Sequence, residues 1–238
     1  MDNIIDIHTH ILYGVDDGAK TIDESILLLD SEIKQGATTV FVTPHSFAFD
    51  DDHEKVYRNF DKLKGKAKRE LNPSIKLYLG CEIYCDQFCV DDVIDKLINH
   101  IYPTMNGTEY ILIEFDSEGG SKEEALYCIN KLVEANYIPI IAHAERYHWI
   151  QMQAIKEMKE IGAKIQINAY SIANEKDKNI QKRTHDLLIK RYADFIGSDT
   201  HRLNHRPPII QSGMDALKLR ISKEYENRIK KENASLIF

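Results

Sequence analysis

The sequence predicts an α/β fold, a parallel sheet with crossover helices, and three observations carry that prediction. Short β-branched, apolar runs alternate about seven times with amphipathic helical stretches. No Gly/Ser-rich linker or low-complexity tract interrupts the alternation, so residues 1–238 read as one domain. Nearly every apolar run ends, on its C-terminal side, in a histidine or a carboxylate. A barrel and a doubly wound sheet both fit the alternation. In either, the C-terminal ends of the strands gather where active sites are built.

The first strand, Ile4-Ile5-Asp6-Ile7, runs into His8-Thr9-His10. Alternate strand residues point the same way, so His8 and His10 share a face roughly 6.6 Å apart. Such a pair can close on one metal ion; taken alone it reads equally as two hydrogen-bonded strand histidines. The loop Ile11–Lys20 holds Asp16 and Asp17 between glycines, either a solvated turn or a carboxylate held over the strand end. Thr21-Ile22-Asp23-Glu24 is a capping box, and Ile22, Ile26, Leu29 and Ile33 continue a helix that Gly36 stops.

Thr38–Thr43 has the composition of a buried parallel strand and ends at Pro44-His45. Asp52–Leu71 is helical, with Val56, Phe60, Leu63 and Ala67 on one face. Ile75–Leu79 is a strand ended by Gly80-Cys81-Glu82, and Asp91–Asn99 a short helix. Tyr110–Ile113 leads to Glu114, Lys122–Ala135 is a helix, and Ile138–Ala142 leads to His143. Helix Met152–Ile161, stopped by Gly162, precedes strand Lys164–Asn168. Helix Ile180–Tyr192 then precedes strand Ala193–Gly197, which ends in Ser198-Asp199-Thr200-His201. From Met214 onward the chain is helical and charged.

The bulk properties narrow the function classes. At 238 residues and 43% hydrophobic, the chain buries a sizeable core. A net charge of −7 disfavours a nucleic-acid backbone as partner. No basic segment followed by an apolar one marks a signal peptide, and no apolar run approaches the ~18 residues of a membrane span. The expected location is the cytoplasm. Cys81, Cys85, Cys89 and Cys128 lack C-x-x-C spacing and read as reduced thiols.

His8, His10, His45, Glu82, Glu114, His143, Asp199 and His201 therefore share one rim. So many imidazoles and carboxylates repel or go unpaired unless cations lie between them, which points to a polynuclear metal site. With nitrogen and oxygen donors and no thiolate, Mn, Fe, Zn or Mg suits it. Several metals together imply hydrolysis. Arg146, three residues after His143, can project from the same rim toward a phosphate oxyanion. Tyr13, Phe47, Phe49, Tyr84, Tyr147, His148 and Trp149 either wall a ring pocket or pack loops.

His8-Thr9-His10, Val15-Asp16-Asp17-Gly18, Thr43-Pro44-His45, Gly80-Cys81-Glu82, Glu114, His143-Ala144-Glu145-Arg146-Tyr147, and Ser198-Asp199-Thr200-His201 with Arg206-Pro207-Pro208 together resemble the PHP (polymerase and histidinol phosphatase) superfamily. Within it they look most like the manganese-dependent tyrosine-protein phosphatases of bacterial capsule and exopolysaccharide biosynthesis. The resemblance implies a distorted (β/α)7 TIM-like barrel with three metals, often manganese. His8, His10, Glu82 and Asp199 would hold one metal. Glu82 would bridge to a second, held with Glu114 and His143. Asp17, or its neighbour Asp16, would hold the third with His45 and His201. Arg146 and Arg206 would grip the phosphate, and His201 would stand with them among the catalytic residues. A metal-bridging hydroxide would attack phosphorus in line. The implied substrate is a phosphotyrosine-bearing protein, a bacterial tyrosine kinase tail. A small phosphomonoester such as histidinol phosphate, or a metal-stabilised module without turnover, is the alternative. Ala144 stands where the family usually has proline, and Arg202 where it often has asparagine.

Overall fold

The computed structural model describes residues 3–237. The apolar runs form parallel strands, which are covered on both faces. They are β1 (Ile4–Asp6), β2 (Ala37–Val42), β3 (Lys76–Leu79), β4 (Glu82–Tyr84), β5 (Tyr110–Glu114), β6 (Ile138–Ile141), β7 (Lys164–Asn168) and β8 (Phe195–Gly197). They lie in the orders β1-β2-β3 and β4-β5-β6-β7-β8. Isolated parallel bridges link His45 to Glu82 and Thr9 to Thr200. The circuit of strands is thus a distorted barrel in which β3 and β4 act as one bent strand.

That bend corrects one expectation. Glu82 opens a strand of its own instead of ending β3. The break falls at Gly80, where an added Cβ would lie 2.7 Å from Met105 Sδ. The chain turns there, leaves β2, and pairs with β5 through Glu82 and Leu112.

The helices are α1 (Ile22–Lys34), α2 (Ser46–Glu70), α3 (Val90–Ile98), α4 (Lys122–Glu134), α5 (Met152–Ile161), α6 (Ala169–Ala173), α7 (Lys178–Ile189), α8 (Ile210–Lys218) and α9 (Lys223–Ser235). Thr21 Oγ1 accepts from Glu24 N at 3.2 Å, and Glu24 reaches back to Lys20 N at 2.8 Å. α2 begins earlier than its apolar face suggests, directly after His45. It is interrupted at Asp52, whose backbone is extended and whose carboxylate accepts from Lys55 N at 2.8 Å. Asp52 thus caps the longer, amphipathic stretch. α6 carries too few residues to show a helical period; Gly213 of α8 lets it pack so closely that a Cβ there would lie 2.4 Å from Ala169 Cβ.

Two features position the rim. Phe41, Leu112, Ile140 and Phe195 form a separate buried cluster. Leu112 shares a strand face with Glu114, so this apolar plug fills the barrel beneath the polar residues. The seam between β1 and β8 is held at both ends. Above, Asp199 N donates to His8 O at 2.9 Å and His10 N to Thr200 O at 2.7 Å. Below, Asn233 of α9 donates to Ile5 O and Ile196 O, both at 2.9 Å, in place of a missing strand ladder.

Candidate metal centre

His8 and His10 leave β1 on one face, with their Nε2 atoms 3.2 Å apart. Glu82 Oε2 lies 3.3 Å from the first and 3.1 Å from the second; Asp199 Oδ1 lies 3.7 Å from both. Gly197 permits this approach, since a Cβ there would stand 2.6 Å from His8 Cβ. Asp199 reaches inward from a left-handed backbone, φ 58°. Ser198 N donating to Asp6 Oδ1 at 2.9 Å and Thr200 Oγ1 donating to Glu32 Oε1 at 3.0 Å hold that strained turn from either side.

The remaining rim residues gather around Glu82. His143 Nε2 lies 2.8 Å from Glu82 Oε1 and 3.8 Å from Glu114 Oε2. His45 Nδ1 lies 2.9 Å from Glu114 Oε1 and 3.2 Å from Glu82 Oε2, and its Nε2 is 3.6 Å from Asp17 Oδ1. His201 Nε2 is 3.3 Å from Asp17 Oδ1. Among the described residues, donor atoms within 4.8 Å of one another form three groups: His8, His10 and Glu82; His45, Glu82 and Glu114; and His10, Asp17, His45 and His201. His45 faces two of these groups, whereas the family pattern places it in one.

The donor set fits cations. The imidazole nitrogens His8 Nε2 and His10 Nε2 face each other across a shared carboxylate oxygen, an arrangement of lone pairs that a divalent ion satisfies. The opposite nitrogens are held by acceptors: His10 Nδ1 by Asp16 Oδ2 at 2.9 Å, His201 Nδ1 by Asp199 O at 2.9 Å, and His8 Nδ1 by Gln166 Oε1 at 3.2 Å. Orienting partners of this kind are how ligating histidines are fixed. They also separate the two adjacent acids. Asp16 is turned inward and also accepts from Gly18 N, whereas the Asp17 side chain is 55% exposed and faces His45 and His201.

Electrostatics bind the cluster together. Burial raises the Glu82 pKa, but the charge on His8 and hydrogen bonds from His10 and His143 carry it well below the usual carboxylate range. Burial works against protonated His8 and His10, yet Glu82 and Asp199 around the first, and Asp16 and Glu82 around the second, raise both. Asp199 is likewise held low despite burial, above all by Arg146. Arg146 Nη1 lies 2.8 Å from Asp199 Oδ2, and Arg206 Nη1 lies 3.3 Å from the same oxygen and 3.1 Å from His201 Nε2. Both guanidiniums open onto a cavity of about 420 Å³ that Tyr170 and Ile180 help to line. The short 3₁₀ turn bearing Arg146 is clamped from α7, where Arg183 Nε donates to Glu145 O at 3.1 Å.

The aromatic residues near the rim divide. Tyr147 is fully buried and its hydroxyl accepts from Phe115 N at 3.1 Å, so it packs the loop. Phe47 stacks on His45 with ring centroids 5.5 Å apart. Arg202 donates to Glu24 Oε1 at 3.0 Å on α1, and Ala144 is buried in the 3₁₀ turn. The four cysteines are free thiols.

Asp6 and Glu32 form a buried acidic pair behind the rim that no spacing in the sequence marks. Among the described residues Asp6 Oδ2 and Glu32 Oε2 have no hydrogen-bond partner. Burial raises Asp6 from 3.8 to about 6, and burial together with the Asp6 charge drives Glu32 well up. A carboxyl with a raised folded-state pKa keeps its proton while the unfolded chain ionises. The pair therefore costs stability that grows as pH rises from about 4 through 6 and beyond. Glu32→Gln removes the repulsion and offers a donor to the pair. It is expected to stabilise the fold by roughly 1–3 kcal/mol at neutral pH, and by little at pH 4. Urea denaturation at both pH values checks this; an equal shift at both rejects it.

Comparison with known proteins follows the same line. The chain matches the family described as capsular polysaccharide synthesis, CpsB/CapC, over residues 4–238. It is 31% identical to the tyrosine-protein phosphatase CpsB of Streptococcus agalactiae, covering 98% of each chain. It is 33% identical to CpsB of Streptococcus pneumoniae, over 96% of this chain and 94% of that one. Among solved structures it superposes at a TM-score of 0.88 and 27% identity on one described with YwqE of Bacillus subtilis and CpsB of S. pneumoniae as unique metal-dependent tyrosine phosphatases. That match covers 98% of this chain and 94% of the other. A phosphotriesterase from Mycobacterium tuberculosis, at a TM-score of 0.59 and 10% identity, shares the fold alone.

Proposed function

Because the chain belongs to the CpsB/CapC family of capsular polysaccharide synthesis, we propose that it is a single-domain, metal-dependent protein-tyrosine phosphatase. The observation that carries this reading is the convergence of imidazoles and carboxylates from six strand ends on Glu82 and Asp199, with Arg146 and Arg206 beside them. In this reading His8, His10, Glu82 and Asp199 hold one ion. Glu82, Glu114 and His143 hold a second, and Asp17, His45 and His201 a third. The oxygen- and imidazole-rich set suits manganese. Bound ions supply an acidified water and neutralise charge on the phosphoryl oxygens.

The chain's own groups do the rest. Arg146 and Arg206 turn from Asp199 to the phosphate oxygens; Arg206 must also leave His201 Nε2. Arg183 keeps the Arg146 turn in place. The cavity beside the guanidiniums receives the tyrosyl ring. The substrate is a phosphotyrosine-bearing protein, a bacterial tyrosine kinase tail in polysaccharide synthesis. The protein acts in the cytoplasm; among the described residues no helix is long and apolar enough to cross a membrane.

The test is hydrolysis of a phosphotyrosine peptide by chelator-stripped protein, with and without added Mn²⁺. Turnover is expected only with the metal, and at least about tenfold better in kcat/KM than for histidinol phosphate. Turnover insensitive to chelator, or a preference for the small phosphomonoester, overturns the reading.

A further inference from the structure

β7 differs from its neighbours in carrying neutral amides, Gln166 and Asn168, on the barrel's inner face, both buried. Gln166 touches three limbs of the site. Its Oε1 lies 2.9 Å from His143 N and 3.2 Å from His8 Nδ1, and its Nε2 donates to Asn168 Oδ1 at 2.8 Å. Asn168 Nδ2 in turn donates to Asp199 Oδ2 at 3.0 Å.

The polarity of this chain of contacts is not free. A backbone N–H can only donate, so the Gln166 atom facing His143 N is its oxygen. The other amide atom is then the NH₂ group, which makes the Asn168 atom it meets an oxygen and turns the Asn168 NH₂ onto Asp199. The same Gln166 oxygen can only accept from His8, so the proton of neutral His8 sits on Nδ1 and the lone pair on Nε2. That nitrogen is the one facing His10, Glu82 and Asp199. Asp199 Oδ2 is likewise occupied from behind, which leaves Oδ1 toward the two histidines. The chain starts from a strained backbone: His143 sits in a left-handed conformation, φ 34° and ψ 49°.

We propose that Gln166 is a positioning residue that sets the His8 tautomer and, through Asn168, the Asp199 carboxylate, so that donors from three strands present lone pairs to one cation. This rests on the metal-dependent reading above, but is tested without substrate.

The experiment is Mn²⁺ titration of the chelator-stripped full chain, with free Mn²⁺ read by electron paramagnetic resonance, for wild type, Gln166→Met, Gln166→Glu and Asn168→Leu. Gln166→Met keeps the length and loses every polar contact; it is expected to weaken the tightest Mn²⁺ site about 10–100-fold, with native circular dichroism in the metal-free form. Gln166→Glu keeps oxygens for His8 and His143 but loses the donor to Asn168 Oδ1, so it is expected to recover the His8 share of that loss and not the Asp199 share. Asn168→Leu leaves the His8 and His143 contacts alone and is expected to weaken binding less than Gln166→Met. A wild-type isotherm in Gln166→Met, or equal losses in the Met and Glu variants, overturns the proposal. Should Gln166→Met not fold, a wild-type isotherm in Asn168→Leu overturns it. A chain that binds Mn²⁺ as expected but hydrolyses no phosphotyrosine counts against the phosphatase reading alone.

Discussion

Glu82→Ala is expected to remove at least one tightly held ion per chain and to lower kcat/KM by about 10³-fold or more. The size of the effect follows from how much converges on this carboxylate. Oε1 meets His143 at 2.8 Å, while Oε2 meets His8 at 3.3 Å, His10 at 3.1 Å and His45 at 3.2 Å. Among the described residues no other rim carboxylate touches imidazoles arriving from all three of β1, β2 and β6. Without it those rings keep their mutual repulsion and lose the anion that offsets it. Glu82→Gln preserves the shape and one acceptor oxygen, so it should fall between wild type and alanine in metal content. Elemental analysis of the purified variants decides the point. Full metal stoichiometry in Glu82→Ala would show that Glu82 is not a shared ligand.

Arg146→Ala is expected to lower kcat/KM for a phosphotyrosine peptide by about 10²–10³-fold while sparing metal content. Its guanidinium lies at the open edge of the site, on Asp199, and offers a forked set of donors to a phosphate. Lysine brings a charge without the fork, so Arg146→Lys should recover only part of the loss. Guanidinium ion added to Arg146→Ala should restore some activity if the missing group is the donor itself. Arg146 is also the chief influence holding the Asp199 pKa down, so a second outcome is informative. Metal lost in step with activity would mean that Arg146 acts by keeping Asp199 ionised and in place.

The alternation of apolar runs with helical periods was enough to read a parallel α/β fold, because covered parallel strands are apolar on both faces and short. The rim was legible for a related reason: charged residues at the ends of buried runs have few structural uses. Other parts were silent. The split of residues 76–84 into two strands falls at Gly80, where Met105, distant in sequence, packs too close to leave room for a Cβ. The Lys164–Asn168 stretch, K-I-Q-I-N, alternates as a strand with a wet polar face would, yet its amides point into the barrel and its isoleucines toward the helices. Only closure of the barrel reverses that sense. Asp6 and Glu32 meet through tertiary packing, and no local pattern announces a buried acidic pair. The two roles of Asp16 and Asp17 likewise rest on which way one loop turns.

Asn233 ties Ile5 to Ile196, three residues upstream of His8 and two upstream of Ser198, where the rim begins. One side-chain amide at the closed bottom of the molecule thus joins the same two staves that backbone hydrogen bonds join at the top. Fraying of α9 would loosen them like a barrel that has lost its lower hoop, and for the metal-bound form proposed above the expected consequence is faster escape of the ions. Ion residence time would in this sense be a property of the whole cask, reporting on a helix that supplies no residue to the rim.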